Sequence, residues 1–115
     1  MTTLADEPIQ KLGPDARALN EDEAAALARD LPGWRLHAGK LLAQCRFGDF
    51  EQAMAFANEV AALASAADHH PDILISYNKV GLEMTTHKVG GLTRNDFILA
   101  ARISRLAPDQ CAGAT

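Results

Sequence analysis

The chain has 115 residues and a mass of 12.3 kDa, which bounds it to one domain. Hydrophobic residues make up 48% and charged residues 23% of it, the balance of an ordinary globular protein. A net charge of −4 and the lack of any extended basic patch argue against direct nucleic-acid binding. The longest apolar-rich segment, residues 53–67, is broken by Asn58, Glu59 and Ser65. It falls short of the roughly 20 residues that span a bilayer, so no membrane association is expected. The N-terminus shows no basic region leading into an apolar stretch and a cleavage site, so a cytoplasmic location is expected.

Residues 1–15 mix Pro8, Gly13 and Pro14 with polar side chains and read as a flexible N-terminal segment. Residues 16–108 then read as the folded domain and residues 109–115 as a flexible tail. Asn20 opens the first helix as its cap, with Glu23 placed to complete a capping box. Ala24, Leu27, Ala28 and Leu31 form its apolar stripe, and Pro32-Gly33 ends it. Residues 34–47 read as a hairpin turning at Ala38-Gly39. Leu41, Ala43, Cys45 and Phe47 share the core-facing side of its second strand.

Asp49 caps the next helix, with Gln52 in the capping-box position. Phe50, Met54, Ala57, Ala61 and Ala64 make one stripe; Phe56, Val60, Leu63 and Ala67 make an adjoining one. Together they predict a wide buried arc. Alanine accounts for 22 residues, concentrated in these first two helices, where it loses no side-chain entropy and allows close packing. Residues 68–72 form a polar break pinned by Pro71. Residues 73–77 are β-prone, and Asn78-Lys79 supplies a turn. Val80, Leu82, Met84 and Thr86 then alternate with Gly81, Glu83, Thr85 and His87 as in a half-buried strand. Gly90-Gly91 breaks it. Thr93 caps the last helix, with Asp96 three residues in. Phe97, Ala100, Ala101 and Ser104 line one side, and Ile98, Ile103, Leu106 and Ala107 add apolar surface before Pro108.

The order helix, strand, strand, helix, strand, strand, helix gives an α+β two-layer sandwich. It has a four-stranded antiparallel sheet with three helices on one face. Two cysteines, Cys45 and Cys111, are too few for a disulfide scaffold. Cys45 reads as a small core hydrophobe and Cys111 falls in a frayed tail. A single bridge between them stays open, but nothing in the sequence signals it.

Three of the four histidines, His69, His70 and His87, sit at element ends, where loops carry function. Histidine suits proton transfer near neutral pH. Pro71 stiffens the loop and holds His70 toward extended geometry. The plain alternative is an ordinary polar loop. A metal site from His69, His70, His87 and Asp96 matches no standard ligand spacing, so no metal is expected. Asp96 reads first as a helix cap. Met54 and Met84 read as packing, and His37 as a surface or edge residue.

The spacing of these residues is specific. His69-His70-Pro71 is followed by five residues to Tyr77, nine more to His87 and eight more to Asp96. With Tyr77-Asn78-Lys79-Val80, Thr85-Thr86-His87, Gly91-Leu92-Thr93 and the upstream Phe47-Gly48-Asp49-Phe50, residues 16–107 resemble the pterin-4a-carbinolamine dehydratases. The resemblance implies the same sheet-and-helix fold, dimers through the sheets and, in some members, tetramers through helices. It implies dehydration of 4a-hydroxytetrahydropterin to quinonoid dihydropterin, which recycles the cofactor of aromatic amino acid hydroxylases. No metal or organic cofactor is implied.

By the same resemblance His70 and His87 flank the reacting edge of the pterin. One would protonate the departing hydroxyl and the other accept the nitrogen proton. His69 would assist binding or proton transfer, Asp96 would orient or charge a histidine, and Asp68 would lie where the ring is met. One departure stands out: many members carry an acid four positions before the first histidine, and here that position is Ser65. The alternative function is a non-catalytic interaction or accessory protein, such as a dimerisation cofactor or assembly factor.

Overall fold

A computed structural model describes residues 3–111 of the chain. Helix α1 (Glu21–Ala28) begins at Asn20, whose side chain accepts the Glu23 amide while the Glu23 carboxylate accepts the Asn20 amide. Strands β1 (Trp34–His37) and β2 (Lys40–Arg46) form the first hairpin. Both turn residues, Ala38 and Gly39, have positive φ, as a tight primed turn demands. Helix α2 (Phe50–Ala67) starts at Asp49, whose carboxylate accepts the Gln52 amide. Strands β3 (Asp72–Ser76) and β4 (Lys79–Met84) form the second hairpin, and helix α3 (Arg94–Leu106) closes the domain.

The sheet order is β1-β2-β4-β3, antiparallel throughout. Leu41, Ala43 and Cys45 on β2 and Val80, Leu82 and Met84 on β4 are buried on one face, under α2 and α3. The expected two-layer α+β architecture is therefore the observed one. Trp34 ties the edge strand to the helical layer, its indole N–H donating to Ser104 Oγ at 2.8 Å. Among the described residues no helix is long and apolar enough to cross a membrane.

Four expectations need correction. The wide arc on α2 is narrower: Ala53, Phe56, Ala57, Val60 and Ala64 are buried, but Phe50 is 44% exposed and Ala61 faces solvent. The second hairpin turns one residue earlier than expected, at Tyr77-Asn78, because Tyr77 itself adopts φ 54° and Lys79 already pairs with Ser76. The Asn78 side chain instead donates to the Phe47 carbonyl, joining the two hairpins.

The third correction concerns the N-terminal segment, whose described residues are docked rather than loose; residues 1–2 lie outside them. A 3₁₀ turn (Leu4–Asp6) packs along α3 with Leu4 and Ala5 buried. Glu7 forms a two-pronged ion pair with Arg94, Arg102 donates to the carbonyls of Ala5 and Glu7, and Arg105 pairs with Asp6. With this cover α3 is packed on both sides, and Phe97, Ile98, Leu99, Ala100 and Ile103 are all fully buried. Hydrogen bonds from Arg105 and Thr3 hold the Asp6 carboxyl down to about 2, and Arg94 lowers Glu7. A depressed carboxylate stabilises the fold above its unfolded pKa and loses that contribution as pH falls through the folded value. The anchor is therefore expected to loosen between about pH 4 and about pH 2. The Ala5 and Glu7 amide resonances should shift across that window before global unfolding. Invariant positions down to pH 2 would contradict the anchoring.

The fourth correction is the start of the tail, residues 109–111; residues 112–115 lie outside the described residues. Pro108–Cys111 forms a last helical turn, α4, and Cys111 is buried in a disulfide with Cys45. The sequence shows no sign of it because the two sulfurs lie 66 residues apart. They meet only when α4 crosses β2. Closing so long a loop restricts the unfolded chain by about 4 kcal/mol in the chain-entropy model. Reduction, or Cys111→Ala, is expected to lower the unfolding free energy by an amount of that order, read as a fall in the urea midpoint. An unchanged midpoint would show that the bridge carries no stability. Such bridges persist in oxidising compartments; in a reducing cytosol the same two sulfurs would stand as packed thiols.

Candidate active site

Helix α2 ends at Asp68, which adopts the left-handed conformation (φ 50°) at the position just past the helix. The His69 amide then bonds back to the Ala64 carbonyl, the arrangement that closes a helix and reverses the chain. This reversal swings His69 under the start of α3. There His69 Nε2 meets Asp96 Oδ1 at 2.5 Å. The Asp96 side chain is fully buried and that of His69 is 13% exposed.

Asp96 belongs to the first turn of α3, where the helix dipole favours a carboxylate. Its Oδ2 accepts the Thr93 amide at 2.9 Å and the Thr86 hydroxyl at 2.6 Å. Thr86 spends its proton on that carboxylate, so Thr93, 2.9 Å away, donates to the Thr86 oxygen. Every contact of the Asp96 carboxylate is thus with a donor. Among the described residues no buried side-chain nitrogen or oxygen lacks a partner. The two oxygens of Asp96 serve different partners: Oδ2 caps the helix and holds Thr86, and Oδ1 meets His69.

Thr86 closes the strand register by an isolated bridge to Gly91. His87 starts a 3₁₀ turn (His87–Val89) immediately past β4, which leaves its side chain exposed at the cleft. Gly91 has to be glycine for space: a Cβ there would meet the Ala18 Cβ at 2.8 Å. The close approach brings the chain before α1 alongside, where the Leu19 amide bonds the Leu92 carbonyl at 2.7 Å.

These elements surround a cleft of about 530 Å³. Asp68, His69, His70 and His87 all line it, so the fold gathers the residues singled out from the sequence, with Asp96 behind His69. Ser65 is exposed on α2 and does not line the cleft. Two features escape sequence reasoning. Thr86 looked like one more inward strand residue, yet it holds the Asp96 carboxylate. Residues 9–12 and the side chains of Lys88 and Asn95 also line the cleft. Among the described residues no three His, Cys, Asp or Glu side chains converge closely enough to hold a metal ion.

Residues 17–106 match the family model described as pterin 4 alpha carbinolamine dehydratase. The chain belongs to the pterin-4a-carbinolamine dehydratase family. A relative from Trichormus variabilis, provisionally named a pterin-4-alpha-carbinolamine dehydratase, is 47% identical over 91 residues, spanning 79% of this chain and 98% of that one. Another so named, from Nitrosospira multiformis, is 41% identical over 108 residues, 91% of this chain and 96% of its own length. Among solved structures, a protein from Brucella melitensis described as a transcriptional coactivator/pterin dehydratase superposes with a TM-score of 0.76 at 30% identity. That match covers 79% of this chain and 99% of the other. The histidine cleft of this dehydratase-family chain therefore lies within the segment that the family model matches, apart from the N-terminal residues on its rim.

Proposed function

We propose that the chain removes water from 4a-hydroxytetrahydropterin, giving quinonoid dihydropterin, by histidine general acid–base catalysis in this cleft. The observation that carries the reading is the meeting of three histidines at one cleft, with one of them clamped by a buried carboxylate. Dehydration breaks the bond from carbon 4a to its hydroxyl oxygen. It also removes the proton on nitrogen 5, whose electron pair forms the new C=N bond. One proton must reach the leaving oxygen and one must leave the nitrogen, so an acid and a base are needed on the same edge of a flat ring.

His70 and His87, both exposed to the cleft, take these two tasks. His69 is held differently. Its Nε2–H donates to Asp96, which fixes the tautomer and leaves Nδ1 as the nitrogen free for binding or relay. Asp96, sealed from solvent, orients His69 rather than exchanging a proton with substrate. Asp68 lines the cleft at a left-handed turn, which supports a role for it in meeting the ring. A position-65 carboxylate is dispensable in this scheme, since Ser65 stands off the cleft.

The product would serve aromatic amino acid hydroxylation by return of the pterin cofactor. Self-association as a homodimer or homotetramer goes with this reading. The outer sheet face, where Leu74 on β3 is 72% exposed, is the surface offered to a second sheet. The test is turnover of freshly generated 4a-hydroxytetrahydropterin above its spontaneous dehydration. Turnover would support the enzyme. Its absence, with a partner protein co-purifying, would favour the accessory role that the first half of the Brucella protein's description suggests.

A further inference from the structure

We propose that residues 9–12 form a substrate-contacting wall of the histidine cleft and that Asn95 is the positioning residue that holds them there. The inference rests on the dehydratase reading and extends it to a segment outside the family match, which begins at residue 17. Residues 9–12 line the same cleft as His69, His70 and His87.

Three ties fix the segment. Asn95, 3% exposed, pairs with the Gln10 backbone in both directions: its Oδ1 accepts the Gln10 amide and its Nδ2 donates to the Gln10 carbonyl, each at 2.8 Å. Lys88 Nζ donates to the Leu12 carbonyl at 2.7 Å. Arg94 grips Glu7 at the near end. Arg94, Asn95 and Asp96 are consecutive, so one helical turn sets both the segment and the clamp on His69. A shift of that turn would move both together.

Between the two inner ties stands Lys11. Its backbone N–H and C=O make no hydrogen bond within the described residues, and its side chain forms no ion pair there. A donor and an acceptor held adjacent on an irregular strand suit the amide-like edge of a pterin, which offers ring N–H, carbonyl and amino groups in one plane. A wall on this side also excludes water from the reacting edge.

Two variants test the segment in the full chain. Gln10→Pro removes the amide that Asn95 accepts, and Lys88→Met removes the ammonium from the Leu12 carbonyl. Each is expected to raise KM, and the Kd for 7,8-dihydrobiopterin, about tenfold, with kcat falling by less than KM rises. Lys88→Arg, which keeps a donor, should return KM toward the wild-type value. A merely structural segment would lower Tm and leave KM and Kd in place, and that result overturns the proposal. An active wild type with unaffected variants refutes the wall but not the dehydratase. A wild type that neither binds nor turns over pterin refutes both. Should the variants unfold, titration of wild type with 7,8-dihydrobiopterin decides. Perturbed Gln10, Lys11 and Leu12 amide resonances support the wall, and unmoved ones overturn it.

Discussion

Replacing His70 or His87 with alanine is expected to lower kcat for dehydration by about 10²–10⁴-fold, the span usual for a positioned general acid or base. Both side chains are exposed at the cleft, so neither loss should change the unfolding free energy by more than about 0.5 kcal/mol, as is typical of surface positions. The two act in one transition state. The double variant should therefore fall little below the worse single one, rather than by the product of the two effects. The pH–rate profile separates the roles. Removing the base abolishes the limb on which activity rises with pH, and removing the acid abolishes the limb on which it falls. Wild-type kcat in either variant would take that histidine out of the chemistry.

Asp96→Ala is expected to damage stability and activity together. It strips the acceptor from three donors at once: His69 Nε2–H, the Thr86 hydroxyl and the Thr93 amide. Buried donors left without partners cost about 1–3 kcal/mol each. A loss near about 4 kcal/mol is the expected result from denaturant melts. Asp96→Asn separates fold from function. Its carbonyl oxygen can keep the two threonine-side donors, while its amide now points a donor at His69 and forces the other tautomer. Stability should largely survive, and kcat should fall on the order of tenfold or more. Equal damage to both properties in the two variants would make Asp96 a structural cap alone.

Much of this organisation is legible in the sequence because its determinants are local. Asn20 with Glu23, and Asp49 with Gln52, announce helix starts within four residues of chain. The alternation of Val80, Leu82 and Met84 gives the inward face of β4 directly, and it carries on to Thr86 just past the strand; all four are buried. The histidine set is legible through its spacing. What stays hidden depends on partners remote in the chain. Asn95 reads as an ordinary polar residue in the first turn of a helix until its partner, the backbone of Gln10 85 positions away, is known. Leu99 lies outside the apolar positions read from the sequence, yet it is fully buried in a helix that also packs against the 3₁₀ turn at Leu4–Asp6. The Tyr77-Asn78 turn escapes for a local reason: asparagine is the expected left-handed residue of the pair, and tyrosine takes that conformation instead.

The proposed dehydration by three histidines on one cleft is decided by a single comparison. Freshly generated 4a-hydroxytetrahydropterin is followed by stopped-flow absorbance with no protein, with wild type, and with the His70→Ala/His87→Ala double variant, both proteins shown to be folded. Rapid decay with wild type and a rate close to background with the variant is the expected result. Equal decay in all three would contradict it.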